Sequence, residues 1–404
     1  MRVVHVVTAF PRSEADPITP WLVELVRRER SAGIDATVLA PSYRGGGAEE
    51  VAGVPVHRFR YAPAFWERLS HEETVPDRLR RRPAYGALVP GYLAAGMRAA
   101  WREGRSGADV FHVHWPMPHA LLGTVGRRAS AGRSGLVCSY YSVEVSWVRA
   151  RLPWLRFFLR WTVRTADEVT AISSATARAV HAVSPRPVRV IPYAAALEDD
   201  GRPIERAAFS DDGPIRLLFV GRLVERKGVS DLIRALALLR ARWPAQLTIV
   251  GEGEWELELQ RVAAACGVSE DVTFTGRLTR SELEATYEAA DIFVLPAVVD
   301  AKGDTEGLGV VLLEALRFER PAIGSAIGGI PDIIEPGRTG WLTPPGDPEA
   351  LAETLESVAR RPEEAREMAR RGREIVRGRF SWDGVIGATI EVYERAVARR
   401  RERA

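Results

Sequence analysis

Glu306 and Glu314 stand eight residues apart, with Gly307-Leu308-Gly309 directly after the first. From Leu308 to Phe318 the residues are apolar or good helix formers, which predicts a helix over that span. Eight residues make just over two turns, so the two carboxylates fall on roughly one side, about 12 Å apart along the axis. The amides of Gly307, Leu308 and Gly309 then lie at the positive end of a helix, where an anion is stabilised. Glu314 sits between Leu313 and Ala315, which are expected in the core, so its carboxylate needs a partner. A ribose, with two vicinal hydroxyls, suits it. Glu306, beyond the helix end, is placed to meet a second polyhydroxyl group across the phosphates.

Such a site lacks cations, and Gly221-Arg222-Leu223-Val224-Glu225-Arg226-Lys227-Gly228 offers them. Ile215 to Val220 reads as a buried strand, and a helix begins soon after Gly228. Cations in a strand-to-helix loop lie at the carboxyl edge of a parallel sheet, where open α/β folds bind ligands. Only Lys227 and Lys302 are lysines, beside 54 arginines. A compact ammonium between phosphate oxygens gives one of those two a reason to be in this loop. A solvated loop charge is the bland alternative.

These residues resemble a known pattern. Gly221-Arg222 with Lys227-Gly228, then Glu306 and Glu314, look like the donor site of the family-four retaining glycosyltransferases of the GT-B fold. The likeness continues through Val250-Gly251 and Gly253, Val272 to Gly276-Arg277-Leu278, Ala290-Asp291 to Pro296, and Gly328-Gly329-Ile330-Pro331-Asp332. It is close over residues 205–380 and loose over 1–200. The resemblance implies two Rossmann-like, doubly wound α/β domains facing each other across a cleft. Residues 1–200 would form an acceptor-side domain and 205–380 a nucleotide-sugar domain, with a last helix near 382–400 packing back on the first. It further implies donor contacts from Gly221, Gly251, Arg277, Leu278, Gly307, Leu308, Gly309 and Glu314, and catalytic roles for Arg222, Lys227 and Glu306.

The remainder of the chain must position these groups. At 404 residues, two domains of ordinary size are expected. Cys138 and Cys266 are too few for a disulfide framework and lack metal spacing, which points to a reducing cytoplasm. Residues 1–20 read as no signal peptide, and no apolar stretch approaches a membrane span. The net charge of +3 divides into +8 over residues 1–200 and −5 over the remainder. A basic half suits anionic lipid at the inner membrane face or a phosphorylated acceptor; a merely soluble arginine-rich surface explains it equally.

Arg2 to Thr8, Ala36–Ala40 and Val54–Phe59 read as strands, with a helix from Pro20 capped by Thr19 and apolar at Leu22, Leu25 and Val26. No Gly-x-Gly-x-x-Gly follows the first strand, which argues against a nicotinamide enzyme. Tyr61–Arg105 is rich in Arg, Pro and aromatics and reads as helices on the acceptor side. Between Trp147 and Arg164, aromatic residues interleave with Arg149, Arg151, Arg156, Arg160 and Arg164. Packing on the sheet with snorkelling arginines is favoured over a helix lying in a bilayer interface. No nucleic-acid motif accompanies the basic residues.

His112 and His114 share one strand face, with His119 close by. A metal would need a further ligand and a second shell, and nothing nearby supplies one. One histidine is therefore expected to border the cleft and the other to be structural. No Asp-x-Asp follows a strand, and the acidic runs Glu198-Asp199-Asp200 and Asp211-Asp212 read as solvated charge in a linker. A metal-independent reaction without cofactor follows, the cations and the helix end carrying the diphosphate charge. Relatives often read Thr-x-His-Gly-x-Asp where this chain has Ser139 to Glu144. Tyr141 then stands on the histidine and Glu144 on the aspartate. Together with His114 they mark the acceptor and sugar side.

The resemblance thus implies a retaining transferase that moves a hexosyl group from a nucleotide-diphosphate sugar to a glycan, glycolipid or small-molecule acceptor. Cell-surface polysaccharide or glycolipid assembly is the family's commonest setting. A non-catalytic nucleotide-sugar-binding subunit, or an epimerase or phosphorylase on the same fold, are the alternatives.

Overall fold

The computed structural model describes residues 1–402 except 17, 74, 151–152, 196, 198, 205–207 and 210–212. Glu198, Asp211, Asp212 and Arg151 lie outside the described residues. The chain divides into two units: Met1–Ile172 with Thr176–Ile191 and Val385–Ala404, and Ser173–Ala175 with Pro192–Gly384.

The first unit is built on β1 (Arg2–Val6), β2 (Asp35–Pro41), β3 (Glu50–Val51), β4 (Val54–Phe59), β5 (Val110–His114), β6 (Gly135–Tyr140), β7 (Glu168–Ala171) and β8 (Arg189–Val190). They form one sheet in the order β3-β4-β2-β1-β5-β6-β7-β8. Pairing is parallel throughout except between β3 and β4. Val3, Val4, Val6, Phe111 and Val113 are fully buried, as strands covered by helices on both faces require. The helix Pro20–Ser31 starts where Pro20 predicts, but Thr19 does not cap it. Thr19 has a left-handed backbone, and its hydroxyl makes no bond to the first turn.

Arg156–Thr165 is a helix of its own, separated from Val143–Ala150 by a turn at Pro153–Leu155. It buries Leu159 and Val163 while Trp154 and Phe157 stay 66% and 70% exposed. Packing and an outward aromatic edge therefore coexist, because the aromatics are distributed around the helix rather than on one face.

The second unit carries β9 (Ile215–Val220), β10 (Ala245–Val250), β11 (Val272–Gly276), β12 (Ile292–Leu295), β13 (Ala322–Ser325) and β14 (Trp341–Thr343). All pair in parallel, in the order β11-β10-β9-β12-β13-β14. The chain winds one way from β9 to β11, then restarts on the other side of β9 with β12. This reversal is the topological switch of a doubly wound sheet.

The first unit ends at Ile191 rather than at residue 200. Ala195 and Leu197 are buried in the second core, and the Ala195 N–H donates to the Phe380 carbonyl. Asp199 is not a solvated charge either. It is 4% exposed and receives two bonds from the Arg373 guanidinium, at 2.6 and 2.8 Å. Burial opposes ionisation of Asp199, but Arg373 and Arg377 outweigh it and hold the carboxyl well below its ordinary value.

Candidate active site

The loops after β9 and β12 leave the second sheet in opposite directions, which opens a crevice between them at the carboxyl edge. The first carries Gly221, Arg222 and Lys227; the second runs through Glu306 to the helix Val310–Arg317. Their backbones touch, for the Val298 N–H donates to the Arg226 carbonyl at 2.9 Å. Gly251 and Gly276, at the ends of β10 and β11, are joined by an N–H···O bond of 2.9 Å. Arg277 and Leu278 follow; Arg277 is exposed, while Leu278 packs on the core.

Lys227 Nζ lies 2.5 Å from a Glu306 carboxylate oxygen, both side chains being about seven-eighths buried. The Leu308 amide also donates to that carboxylate. Burial alone would raise the Glu306 carboxyl, but Lys227, Arg226 and this amide hold it below its ordinary value. A cation and a backbone donor from separate loops therefore already meet on one anion. Arg222 does not join them: it is exposed and forms no ion pair among the described residues.

The helix begins at Val310, two residues later than predicted, with Gly309 at its N-cap in a left-handed conformation. Glu306 to Leu308 form an irregular, bent approach to that helix, closely backed by Gly328 and Gly329. A Cβ on Gly328 would lie 1.9 Å from the Glu306 carbonyl oxygen, and one on Gly329 2.3 Å from that of Gly307. The glycine pair permits this close backbone passage.

Glu314 is buried as expected, but it has a protein partner. The Tyr287 hydroxyl, fully buried, donates to its carboxylate at 2.8 Å. Burial pushes the Glu314 carboxyl up to about 6 against the pull of Tyr287 and Arg317. Tyr287 gave no sequence signal beyond its apolar helix face.

In the first unit, the third histidine that the sequence lacked locally comes from β1. His5 is the register partner of His112 on β5. One ligand atom from each of His5, His112 and His114 falls within 4.8 Å of the others, all three rings being buried. Yet every ring nitrogen already has a protein partner. Neither His112 nor His114 is solvated; burial pushes both well below the ordinary imidazole value.

Residues 202–375 match the family "Glycosyl transferases group 1", and residues 18–194 the "Glycosyl transferase 4-like domain". The chain is 36% identical over 275 residues to the GDP-mannose-dependent alpha-(1-6)-phosphatidylinositol monomannoside mannosyltransferase of Mycolicibacterium smegmatis, covering 66% of this chain and 71% of that one. It is 35% identical over 329 residues to the GDP-mannose-dependent monoacylated alpha-(1-6)-phosphatidylinositol monomannoside mannosyltransferase of Corynebacterium glutamicum, covering 78% and 84%. This chain belongs to the family-four glycosyltransferases of the GT-B fold. The sucrose-phosphate synthase of Thermosynechococcus elongatus shares that fold, with a TM-score of 0.72 at 21% identity over 98% of this chain and 99% of that one.

Within this glycosyltransferase the segment Ser139–Glu144 carries a polar cluster. Tyr141 follows β6, and its hydroxyl bonds His114 Nδ1 at 2.5 Å. Trp21 and Trp115 pack beside it, with ring centroids 5.3 and 4.9 Å away. Glu144 is buried and accepts the Tyr141 N–H at 3.2 Å, while its Oε1 has no hydrogen-bond partner among the described residues. Burial pushes its carboxyl up to about 7, against the pull of its own and the Tyr141 amide. Ser142, at the motif's glycine position, has φ 79°.

Proposed function

We propose that this glycosyltransferase moves a mannosyl or related hexosyl group from a nucleotide-diphosphate sugar to a lipid-linked or glycan acceptor, with retention and without a metal ion. The convergence of Lys227 and the Leu308 amide on Glu306 carries the reading. A diphosphate between the two loops competes for the Lys227 ammonium and frees Glu306 for the hydroxyls of the donor sugar. The Gly307–Gly309 amides and Arg222 add charge neutralisation as the diphosphate departs. Glu314 holds the ribose, with Tyr287 orienting its carboxylate. In the family's usual account the leaving phosphate takes the acceptor proton on the same face, so no side-chain nucleophile is nominated. His114, Tyr141 and Glu144 serve the sugar and acceptor side.

The donor base and sugar of the proposal follow the two mannosyltransferase relatives, which are GDP-mannose-dependent. No helix among the described residues is long and apolar enough to cross a membrane. Contact with a lipid-linked acceptor is instead peripheral, through exposed Trp154 and Phe157 beside Arg156 and Arg160. Turnover of GDP-mannose with and without a phosphatidylinositol mannoside, in EDTA, with the product's anomeric configuration read by NMR, tests the whole reading. Inverted configuration, or activity that collapses in EDTA, overturns the corresponding part. Co-sedimentation with anionic vesicles, lost in W154S/F157S, tests the membrane contact.

A further inference from the structure

Arg320 is fully buried and follows the helix Val310–Arg317 that carries Glu314. Its backbone closes that helix. Glu319 has a left-handed φ of 52°, the Glu319 N–H donates to the Leu316 carbonyl at 3.0 Å, and the Arg320 N–H donates to that of Ala315 at 2.9 Å. This paired-bond ending fixes the point from which the Arg320 side chain starts.

The side chain then reaches a second helix. Its Nε donates to the Phe318 carbonyl at 2.7 Å, and one terminal nitrogen donates to the carbonyls of Ala290 at 2.9 Å and Glu288 at 3.2 Å. Glu288 and Ala290 lie at the end of the helix Arg280–Ala289. Carbonyls at the carboxyl end of a helix carry partial negative charge, so one guanidinium serves both helix ends at once. Its planar fork of donors suits that task, whereas the ammonium of a lysine is a compact point.

This clamp brings together one polar pair. Tyr287, on the helix Arg280–Ala289, stacks on Phe318 with ring centroids 5.4 Å apart and planes 8° apart. Its hydroxyl donates to Glu314 Oε2 at 2.8 Å. Arg320 therefore bonds the residue whose ring supports Tyr287 and the residue that follows Tyr287 in the chain. The other charged group acting on Glu314 is Arg317, one turn on, whose guanidinium lies over the Phe318 ring and 3.5 Å from Asp200. Arg373, from the neighbouring helix Pro362–Gly378, turns to Asp199 and Glu319 instead.

We infer that Arg320 is a positioning residue of the donor site: by tying two helix ends it sets the Tyr287–Glu314 bond, and with it the carboxylate presented to the ribose. This rests on the reading that Glu314 holds the ribose. Tyr287 favours the ionised carboxylate against burial, and with Tyr287 in place the Glu314 carboxyl stands at about 6. Loosening the clamp withdraws the phenol, so the carboxyl rises. Once protonated it loses an acceptor for a ribose hydroxyl, and the pH below which donor binding weakens rises with it.

Two measurements in the full chain test it. Without ligand, the Glu314 carboxyl is titrated by ¹³C NMR of glutamate-labelled protein, its signal assigned by its loss in E314Q. Y287F should raise the midpoint by about one pH unit, the worth of a hydrogen bond to a charged acceptor. R320K keeps the charge without the fork, and R320Q keeps a planar donor without the charge; each should raise it by part of that. R320K/Y287F and R320Q/Y287F should titrate where Y287F does, because Arg320 acts through Tyr287. A merely structural arginine lowers the unfolding temperature and leaves this midpoint alone. A wild-type midpoint in R320K, or shifts that add in the double variants, overturns the inference.

The second measurement is GDP-mannose affinity across pH 5–8, read by calorimetry without acceptor. Y287F should bind about threefold more weakly than the wild type near pH 6.5 and equally at pH 8, with R320K between them. E314Q should flatten the profile. Affinity indifferent to E314Q overturns the ribose reading and, with it, the donor-site role of Arg320. A profile flattened by E314Q but left in its wild-type place by R320K overturns the inference alone.

Discussion

Two buried carboxylates, one in each unit, solve the same problem in opposite ways. Glu306 meets a full positive charge, Lys227, across two loops at the edge of the second sheet. Glu29 meets a histidine and a tyrosine beneath the first. A charge–charge contact has little directional demand, so another anion can replace Glu306 on Lys227 without rearranging the loops. A hydrogen-bonded chain has a direction at every link, and reversing one reverses all. The second sheet thus offers a site built for exchange, the first a site built for fixed polarity.

Breaking the exchangeable side should have the larger effect on turnover. Lys227→Ala is expected to lower kcat with a nucleotide sugar by roughly 10²–10³-fold, the usual cost of removing one charge-stabilising donor at a departing group. Secondary structure by circular dichroism should be retained. Wild-type-like turnover in this variant would remove Lys227 from the diphosphate site and with it the contrast drawn above.

The backbone that presents Glu306 comes next. Gly328→Ala places a Cβ 1.9 Å from the Glu306 carbonyl oxygen at a φ of +58°. Strain and forced backbone movement together should cost roughly 3–4 kcal/mol in denaturant unfolding and weaken donor binding. Gly33→Ala is the control, with φ +86° and nothing within 4 Å of the added Cβ. It should cost only the backbone part, about 1–2 kcal/mol. Equal losses in the two variants would mean that the contact with Glu306 contributes nothing.

Legibility in the sequence follows the same division. The loop residues Gly221, Lys227, Glu306 and Glu314 announce themselves because each motif is local, a strand end or helix start with a charge beside it. Parallel strands fell within a residue or two of their predicted bounds for the same reason, since β-branched runs end where the core ends. Glu29, His5 and Tyr393 did not announce themselves. Glu29 and Tyr393 are 364 residues apart, and His5 joins His112 only through sheet register. A polar residue inside an apolar strand and an acid on the apolar face of a helix were the available signals. Each needs its partner before it means anything, and pairing was what the sequence withheld. Asp199 was misread for a related cause: its partner Arg373 lies 174 residues away.

Glu144 and Glu306 also sharpen the contrast through pH. In the folded chain Glu144 titrates at about 7 against an ordinary 4.5. Between those values the folded state keeps a proton that the unfolded chain has lost, so stability falls as pH rises through the window. Above pH 7 the buried carboxylate exerts its full cost. Glu144→Gln, neutral at every pH, should match the wild type below about pH 4.5 and exceed it by about 2–3 kcal/mol above pH 7. Glu306, held below its ordinary value, must contribute in the opposite sense, its stabilisation present above the unfolded value and lost as pH falls. Thermal unfolding of E144Q and E306Q across pH 4–8 reads both, and parallel curves would defeat the distinction.

The smallest effect concerns the turn that carries Tyr141. Ser142 holds φ 79°, a conformation that costs a residue with a Cβ about 1–2 kcal/mol. Its carbonyl accepts the Val145 and Ser146 amides as the helix Val143–Ala150 begins, bonds that do not depend on the side chain. Ser142→Gly relieves the strain but gives the unfolded chain more freedom, worth about 0.4–1 kcal/mol. The variant should therefore gain about 0.5–1 kcal/mol in denaturant unfolding, with kcat/KM unchanged. A loss of stability instead would show that the hydroxyl caps the helix more strongly than the backbone resents it. A loss of activity at raised stability would show that the strained turn aims Tyr141.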